Sequence, residues 1–279
     1  MKYRNYNDIN FYNELKIDCS KCFGFCCVAL YFSTMDGFPK NKVGGEPCIN
    51  LNKDFTCKIH KDLNKKNLRG CINYDCFGAG QIVAQHIYKN LSWQDSPQQS
   101  QEMYDVFVII KNLQEMIWYL YDSITFTDNK EMKNKIKYMI KETENFANLS
   151  AKDILSINIE EHRTKVNSLL KQVRSDMVQK LYPKRKNDIS LGFDFIGKDL
   201  RNKNLIGGNL AGALLIGANL QNMNLSGAII IGADMRDTDI RGCNLENTMY
   251  LTQSQVNSAR GNSKTKLPVF IKRPFYWEE

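Results

Sequence analysis

Gly208-Asn-Leu-Ala-Gly-Ala-Leu-Leu-Ile-Gly-Ala-Asn-Leu220 reads in fives. Leu210, Leu215 and Leu220 stand five residues apart. The step runs back through Leu205, Leu200 and Phe195 and forward through Leu225, Ile230, Met235, Ile240, Leu245 and Tyr250. Two residues before these positions, from Gly208 on, sits mostly a small side chain: Gly208, Ala213, Ala218, Ala228, Ala233, Thr238, Cys243 and Thr248. Two residues after, Gly recurs at 197, 207, 212, 217, 227, 232 and 242. A helix repeats its face about every 3.6 residues and a strand every second residue, so period five fits neither. It fits a short extended piece whose alternate residues point inward, closed by a corner. Gly, Asn or Asp at the corner tolerates the backbone of a tight turn. Four such sides close a square coil of twenty residues, and the twelve steps from Phe193 to Thr252 predict three coils.

The phrases Ala218-Asn219-Leu220 and Ala233-Asp234-Met235 match A(D/N)LXX in type and register, and in this the stretch resembles the pentapeptide-repeat family. The resemblance implies a right-handed quadrilateral β-helix within 188–279, which is a scaffold and a surface rather than a chemistry. Every fourth repeat then shares a face. The faces of Leu200 and of Leu205 carry polar outward residues, among them Asp199, Arg201, Asp239 and Arg241. The other two faces share an outward apolar patch of Ile196, Leu214, Ile216, Ile229, Ile231, Met249 and Leu251. Such a patch marks a contact. The expectation is that the helical part of the chain docks there, or that a second copy does, giving a homodimer through Ile229, Ile231, Met249 and Leu251. Cys243 holds an inward position and reads as core. Thr252 to Ala259 reads as a capping helix, and Leu267 to Trp277 as a tail folding back over the coil end.

Upstream, eight of the nine cysteines lie between 19 and 76: Cys19, Cys22, Cys26, Cys27, Cys48, Cys57, Cys71 and Cys76. Thiolates bind soft or borderline metals, and zinc held by four Cys or His ligands is the commonest closed site. Iron, as a single ion or an iron–sulfur cluster, is the alternative. Eight thiols fill two four-ligand sites, or one site with thiols to spare. The vicinal pair Cys26-Cys27 is awkward for one ion, so either the two point to different sites or one is not a ligand. A unit of about 80 residues often needs such a staple to fold.

The runs Cys19-Ser-Lys-Cys22-Phe-Gly-Phe-Cys26-Cys27, Gly45-Glu-Pro-Cys48-Ile-Asn-Leu51, Cys57-Lys-Ile-His60, Cys71 and Cys76 resemble the YkgJ-type cysteine-cluster family of zinc- or iron-chelating proteins. The likeness covers about 60 residues. It departs at one extra residue before Cys26, at His60 where Tyr is usual, and at the absence of Arg-Pro before Cys71. It implies metal chelation by the eight cysteines, with His60 read as a non-ligand. Gly78-Ala79-Gly80 lacks the Lys-Ser/Thr of a phosphate loop. It reads as the turn that lets the last cysteine run closely into a helix starting near Gln81.

Between these parts the chain reads as helices. Gln81 to Leu91 is the first. Ser96-Pro97 opens a long one, with Met103, Val106, Phe107, Ile110, Leu113, Ile117 and Leu120 at helical spacing and Val108, Ile109, Met116, Trp118 and Tyr119 widening the apolar face. Met132, Ile136, Met139, Thr143 and Phe146 form the next stripe. Val166, Leu169, Leu170, Val173, Met177 and Leu181 form the last, which Pro183 stops. His86 and His162 sit singly and read as surface or core. The organisation expected is a multidomain chain: a Cys-rich metal-binding unit (1–80), a helical unit (81–187) and the repeats with their cap (188–279).

Charge narrows the function. The net charge of +8 is spread thinly, as +4, +3 and +1 over those three parts, and marks no nucleic-acid footprint. The Lys184-Arg185-Lys186 run reads as a linker. Residues 1–20 lack the apolar segment of a secretory signal, and no run of about 18 apolar residues would span a membrane. A cytoplasmic protein is expected, where clustered cysteines need a reason other than disulfides. Some pentapeptide-repeat proteins protect DNA gyrase and topoisomerase by mimicking duplex DNA with a long acidic rod. Three coils of roughly 4.8 Å span only about 14 Å, and this segment is near neutral. The reading is therefore a cytoplasmic metal-binding scaffold or interaction protein with an unknown protein partner. An iron- or zinc-dependent redox or hydrolytic enzyme is the alternative, and a topoisomerase-protecting protein the further one. No general base is evident beside the cysteines.

Overall fold

The computed structural model describes residues 11–181 and 193–277. Nine α-helical segments occur among them: α1 (Phe11–Glu14), α2 (Phe25–Ala29), α3 (Arg69–Ile72), α4 (Ala79–Ile82), α5 (Ser100–Ile124), α6 (Lys130–Ala147), α7 (Ala151–Leu155), α8 (Ile159–Leu181) and α9 (Gln253–Ser258). Pro183, the Lys184–Lys186 run and the expected boundary after 187 lie outside the described residues. Chain contacts group the molecule into two compact units. One joins Asn10–Tyr121 to Asn134–Leu169, and the other joins Asp122–Lys133 to Leu170–Glu279.

In the first of these units α5 supplies the core. Met103, Val106, Phe107, Ile110 and Leu113 are buried together with Phe25, Val28, Cys76, Ala79, Val83, Ala147 and Ile154. Phe107 stacks on Phe25 with ring centroids 5.4 Å apart. Pro97 opens a short 3-10 turn into α5, as a residue without an N–H suits a helix start. Val108, expected on the apolar face, is exposed. The expected helix from Gln81 to Leu91 is shorter and different. α4 passes into a π-turn over Val83–Ile87 and ends where Lys89 and Asn90 take positive φ. Ser150 caps α7 by accepting from Asp153 N–H, as its spacing predicts.

In the other unit the coil repeats as expected. Parallel single-residue bridges join Asp194 to Leu214, Asp199 to Asn219, Asn209 to Ile229, Leu214 to Asp234, Asn219 to Asp239, Asn224 to Asn244 and Ile229 to Met249. Each partner lies twenty residues on. Each side of the coil is one bridge rather than a long strand. At each corner the inward residue's carbonyl accepts the N–H three residues later, as Leu210 accepts from Ala213 at 3.0 Å. The glycine between them, Gly212, has φ +66°. Asn222 and Asp237 take glycine's place with φ +58° and +56°, which short polar side chains tolerate.

Two features of the coil depart from the five-residue pattern. It does not end after three turns: beyond α9, Arg260 bridges to Asp239 and Lys266 to Asn244. The inserted helix breaks the five-residue phase, which hides these two added sides in the sequence. Tyr250, expected to be the last inward residue, has φ +64° and leaves the pattern. Its N–H donates to Asp122 Oδ2 at 2.7 Å, and its hydroxyl lies 3.1 Å from Ser123 Oγ and donates to the Leu170 carbonyl at 3.2 Å. Asp122, Ser123 and Leu170 thus meet the coil at this residue. The apolar patch divides accordingly: Ile229, Met249 and Leu251 are buried within the chain, while Ile196 and Leu214 are exposed. Ile231, the fourth residue of the expected second-copy contact, is half-buried.

Candidate metal centre

The eight upstream cysteines and Cys243 are all free thiols. α2 starts after Gly24, which has φ +64°, and it carries the vicinal pair Cys26 and Cys27. Adjacent residues on a helix point about 100° apart, so the two thiols meet different surroundings although their sulfurs are only 4.0 Å from one another. Cys26 packs with Cys22 on the core that contains Phe25, Cys76 and Ala79. Cys48 and Cys71 pack on a separate cluster, Phe32, Phe38 and Leu68.

Local chain reversals explain these neighbourhoods. The Cys27 carbonyl accepts from Cys48 N–H at 2.9 Å. The chain then folds back as a tight hairpin in which Leu51 bridges antiparallel to Cys57. On the other side, Asp18 N–H donates to Gln81 Oε1 at 2.8 Å, and Gln81 Nε2 donates to the Lys16 carbonyl. These bonds hold the Cys19–Lys21 turn against α4. Gly80 is required there, because a Cβ at this position would lie 2.4 Å from Cys22 Sγ. The glycine turn seen in the sequence thus makes room for a thiol.

Burial pushes Cys22 and Cys71 up to about 12 and raises Cys19, Cys57 and Cys76. Cys26 is raised first by its hydrogen bond to Cys27 and then by burial. Cys27 is lowered, first by that same bond and also by the Lys42 charge. Lys42 is itself buried. Its ammonium donates to the Val28 carbonyl at 2.8 Å and to the Leu30 carbonyl, and among the described residues no carboxylate pairs with it. Burial lowers its pKa, while Cys48, Cys27 and Cys26 oppose that fall. No signal in the sequence sets Lys42 apart from the other lysines. His60 stands exposed on a one-turn helix. Among the described residues no three Cys, His, Asp or Glu side chains converge to hold an ion as they stand. Cys243 is buried in the coil and donates to the Leu220 carbonyl, away from the other eight.

The pentapeptide-repeat family model matches residues 209–247 in eight copies, which lie within the coil described above. Uncharacterized protein YybG of Bacillus subtilis (strain 168) is 42% identical over 270 residues, covering 96% of this chain and 97% of the relative. The chain belongs to the YybG family of pentapeptide-repeat proteins. The similarity covers nearly the whole chain and is not confined to the repeats. Among the described residues no helix is long and apolar enough to cross a membrane.

Proposed function

We propose that the chain is a cytoplasmic metal-binding scaffold. Its cysteine-rich part holds zinc through Cys19, Cys22, Cys26, Cys27, Cys48, Cys57, Cys71 and Cys76, and its coil, a right-handed quadrilateral β-helix, presents a surface to a protein partner. The observation that carries the reading is the density of free thiols: eight within 58 residues, beside the α5 core and a small apolar cluster of Phe32, Phe38 and Leu68. The likeness to YkgJ-type cysteine clusters supports it. So does Gly80, whose bare backbone accommodates a thiol at the core. Spread thiols suit an ion that draws them together as it binds. Iron or an iron–sulfur cluster suits the same donors.

Elemental analysis of full-length protein purified without chelator tests this. Stoichiometric zinc closed by protein thiolates is expected. Protein with all eight thiols reduced and no bound metal overturns the reading, and redox-active iron with an open coordination position turns it towards an enzyme. On the coil, Arg201, Arg236 and Arg241 each pair with an aspartate two residues before at 2.6 Å. This self-neutralised surface gives little support to mimicry of duplex DNA. The exposed Ile196 and Leu214, with the half-buried Ile216 and Ile231, are what remains of the apolar patch for a partner.

A further inference from the structure

We infer that the eight cysteines form two separate four-thiol sites, Cys19, Cys22, Cys26 and Cys76 in one and Cys27, Cys48, Cys57 and Cys71 in the other, with Lys42 as the fixed counter-charge of the second. The inference rests on the metal-binding reading above.

Three observations carry the division. The first is the split of the packing: Cys22, Cys26 and Cys76 share the α5 core, whereas Cys48 and Cys71 share the cluster of Phe32, Phe38 and Leu68. The second is the chain path. The bond between Cys48 N–H and the Cys27 carbonyl, followed by the bridge from Leu51 to Cys57, brings Cys27, Cys48 and Cys57 into one neighbourhood. The Asp18–Gln81 bond and the gap at Gly80 bring Cys19 and Cys22 to the α4 segment that follows Cys76. The third is α2, where adjacent residues stand about 100° apart: Cys26 packs on the α5 core while the Cys27 carbonyl takes the Cys48 N–H, with the two sulfurs 4.0 Å from one another.

Lys42 makes the two sites unlike. Four thiolates around a divalent ion leave two negative charges, which a buried site must offset. A buried ammonium with two carbonyl acceptors and no carboxylate partner is a costly residue unless thiolates face it. Its ammonium sits on the carbonyl of Val28, next in sequence to Cys27, and its backbone pairs with Phe32 of the cluster on which Cys48 and Cys71 pack. The first site has the α5 core behind it, and the second has the lysine.

Full-length protein, reduced and loaded with zinc without oxygen, is counted by elemental analysis and native mass spectrometry. Two ions per chain are expected. Cys22→Ser with Cys76→Ser keeps one ion, and Cys48→Ser with Cys71→Ser keeps one. A wild type that binds no zinc overturns the metal reading itself. A single ion per chain, or paired variants that each lose every ion, overturns the division alone. If a variant fails to fold by circular dichroism, the wild type still decides. One ion is stripped by a chelator and the freed thiols are alkylated. Labels confined to one set support the division, and labels spread over both sets in the one-ion species overturn it. Lys42→Met is expected to weaken retention of the ion at the Cys27 set by about ten- to a hundredfold and to leave the other unchanged, with Lys42→Arg restoring it. An equal effect on both ions removes Lys42 from the inference.

Discussion

Each Asn or Asp that precedes an inward residue of the coil turns its side chain back on its own backbone. Asp199 Oδ1 accepts from Arg201 N–H at 3.1 Å, Asn209 from Ala211 at 3.2 Å and Asn219 from Gln221 at 3.1 Å. The repeat's polar residue is therefore part of the corner, a local turn that competes with helix and fixes the chain's direction. The Arg201 guanidinium grips the same Asp199 and holds its carboxyl down to about 2. The charges that the sequence offers as a partner's reading surface are thus committed within each side. The small inward residues have a second task. Thr238 Oγ1 and Thr248 Oγ1 donate to the carbonyls of Leu215 and Leu225, one coil back. The added turn repeats this through Thr265 and Ile240. Corner glycines allow a clean test. Gly217 has φ +64° and open space on its Cβ side, with nothing within 4 Å of where that carbon would stand. At Gly242, with φ +71°, a Cβ would lie 2.2 Å from Asn222 Oδ1. Gly217→Ala should cost the backbone strain alone, about 1–2 kcal/mol, and Gly242→Ala should cost more, both read from urea unfolding midpoints. Equal losses would show that the neighbouring Asn yields freely.

At the scale of elements, α6 and α8 carry a buried polar pair. Thr143 Oγ1 donates to the Met139 carbonyl at 2.7 Å, so His162 Nε2, 2.8 Å away, is the donor to Thr143. His162 Nδ1 then bears the lone pair, buried without a hydrogen-bond partner and 4.0 Å from Glu142 Oε1. Burial lowers the His162 pKa below its usual 6.5, Glu142 opposing and Lys165 assisting. The sign follows. The unfolded chain takes up this proton more readily, so the stability is present above pH 6.5 and is lost as pH falls below it. Asp75 acts in the opposite direction, since burial raises it to about 6 and the folded state favours its protonated form as pH falls. Comparison with His162→Gln isolates the histidine: thermal midpoints at pH 7.5 and 5.5 should fall further for wild type than for the variant. A fall of the same size in both assigns the acid sensitivity elsewhere. Legibility in the sequence follows locality. The coil, the α5 stripe and the Ser150 cap are legible because period and capping are local. The surroundings of the cysteines are not, because the bond from Cys48 to the Cys27 carbonyl and the pairing of Leu51 with Cys57 arise by chain reversal. Nor is the continuation beyond α9, where bridge partners stand 21 and 22 residues apart instead of twenty.

At the scale of the molecule, the coil is closed differently at the helix ends and at its own tail. Past α9 the chain is clamped by Arg273, which donates to the carbonyls of Asn262 and Thr265, and by Trp277, whose ring would meet any Cβ on Gly261. These bonds cover backbone groups that the last turn would otherwise leave open. Tyr250 is the other closure, where Asp122, fully buried, receives the N–H of a residue in left-handed backbone. Two substitutions separate backbone from side chain there. Tyr250→Phe removes the hydroxyl that lies near Ser123 and donates to Leu170, and should cost about 0.5–1.5 kcal/mol, the net worth of a buried hydrogen bond. Asp122→Ala leaves the buried Tyr250 N–H without its acceptor and should cost about 1–3 kcal/mol or more, because desolvation of an unsatisfied donor adds to the lost bond. Chemical unfolding followed by circular dichroism gives both values. If Tyr250→Phe proves the more damaging, the coil is tied to the helix ends by the ring's hydroxyl and not by the backbone. The aspartate would then be a minor capping residue, and the turn at Tyr250 would stand on its own.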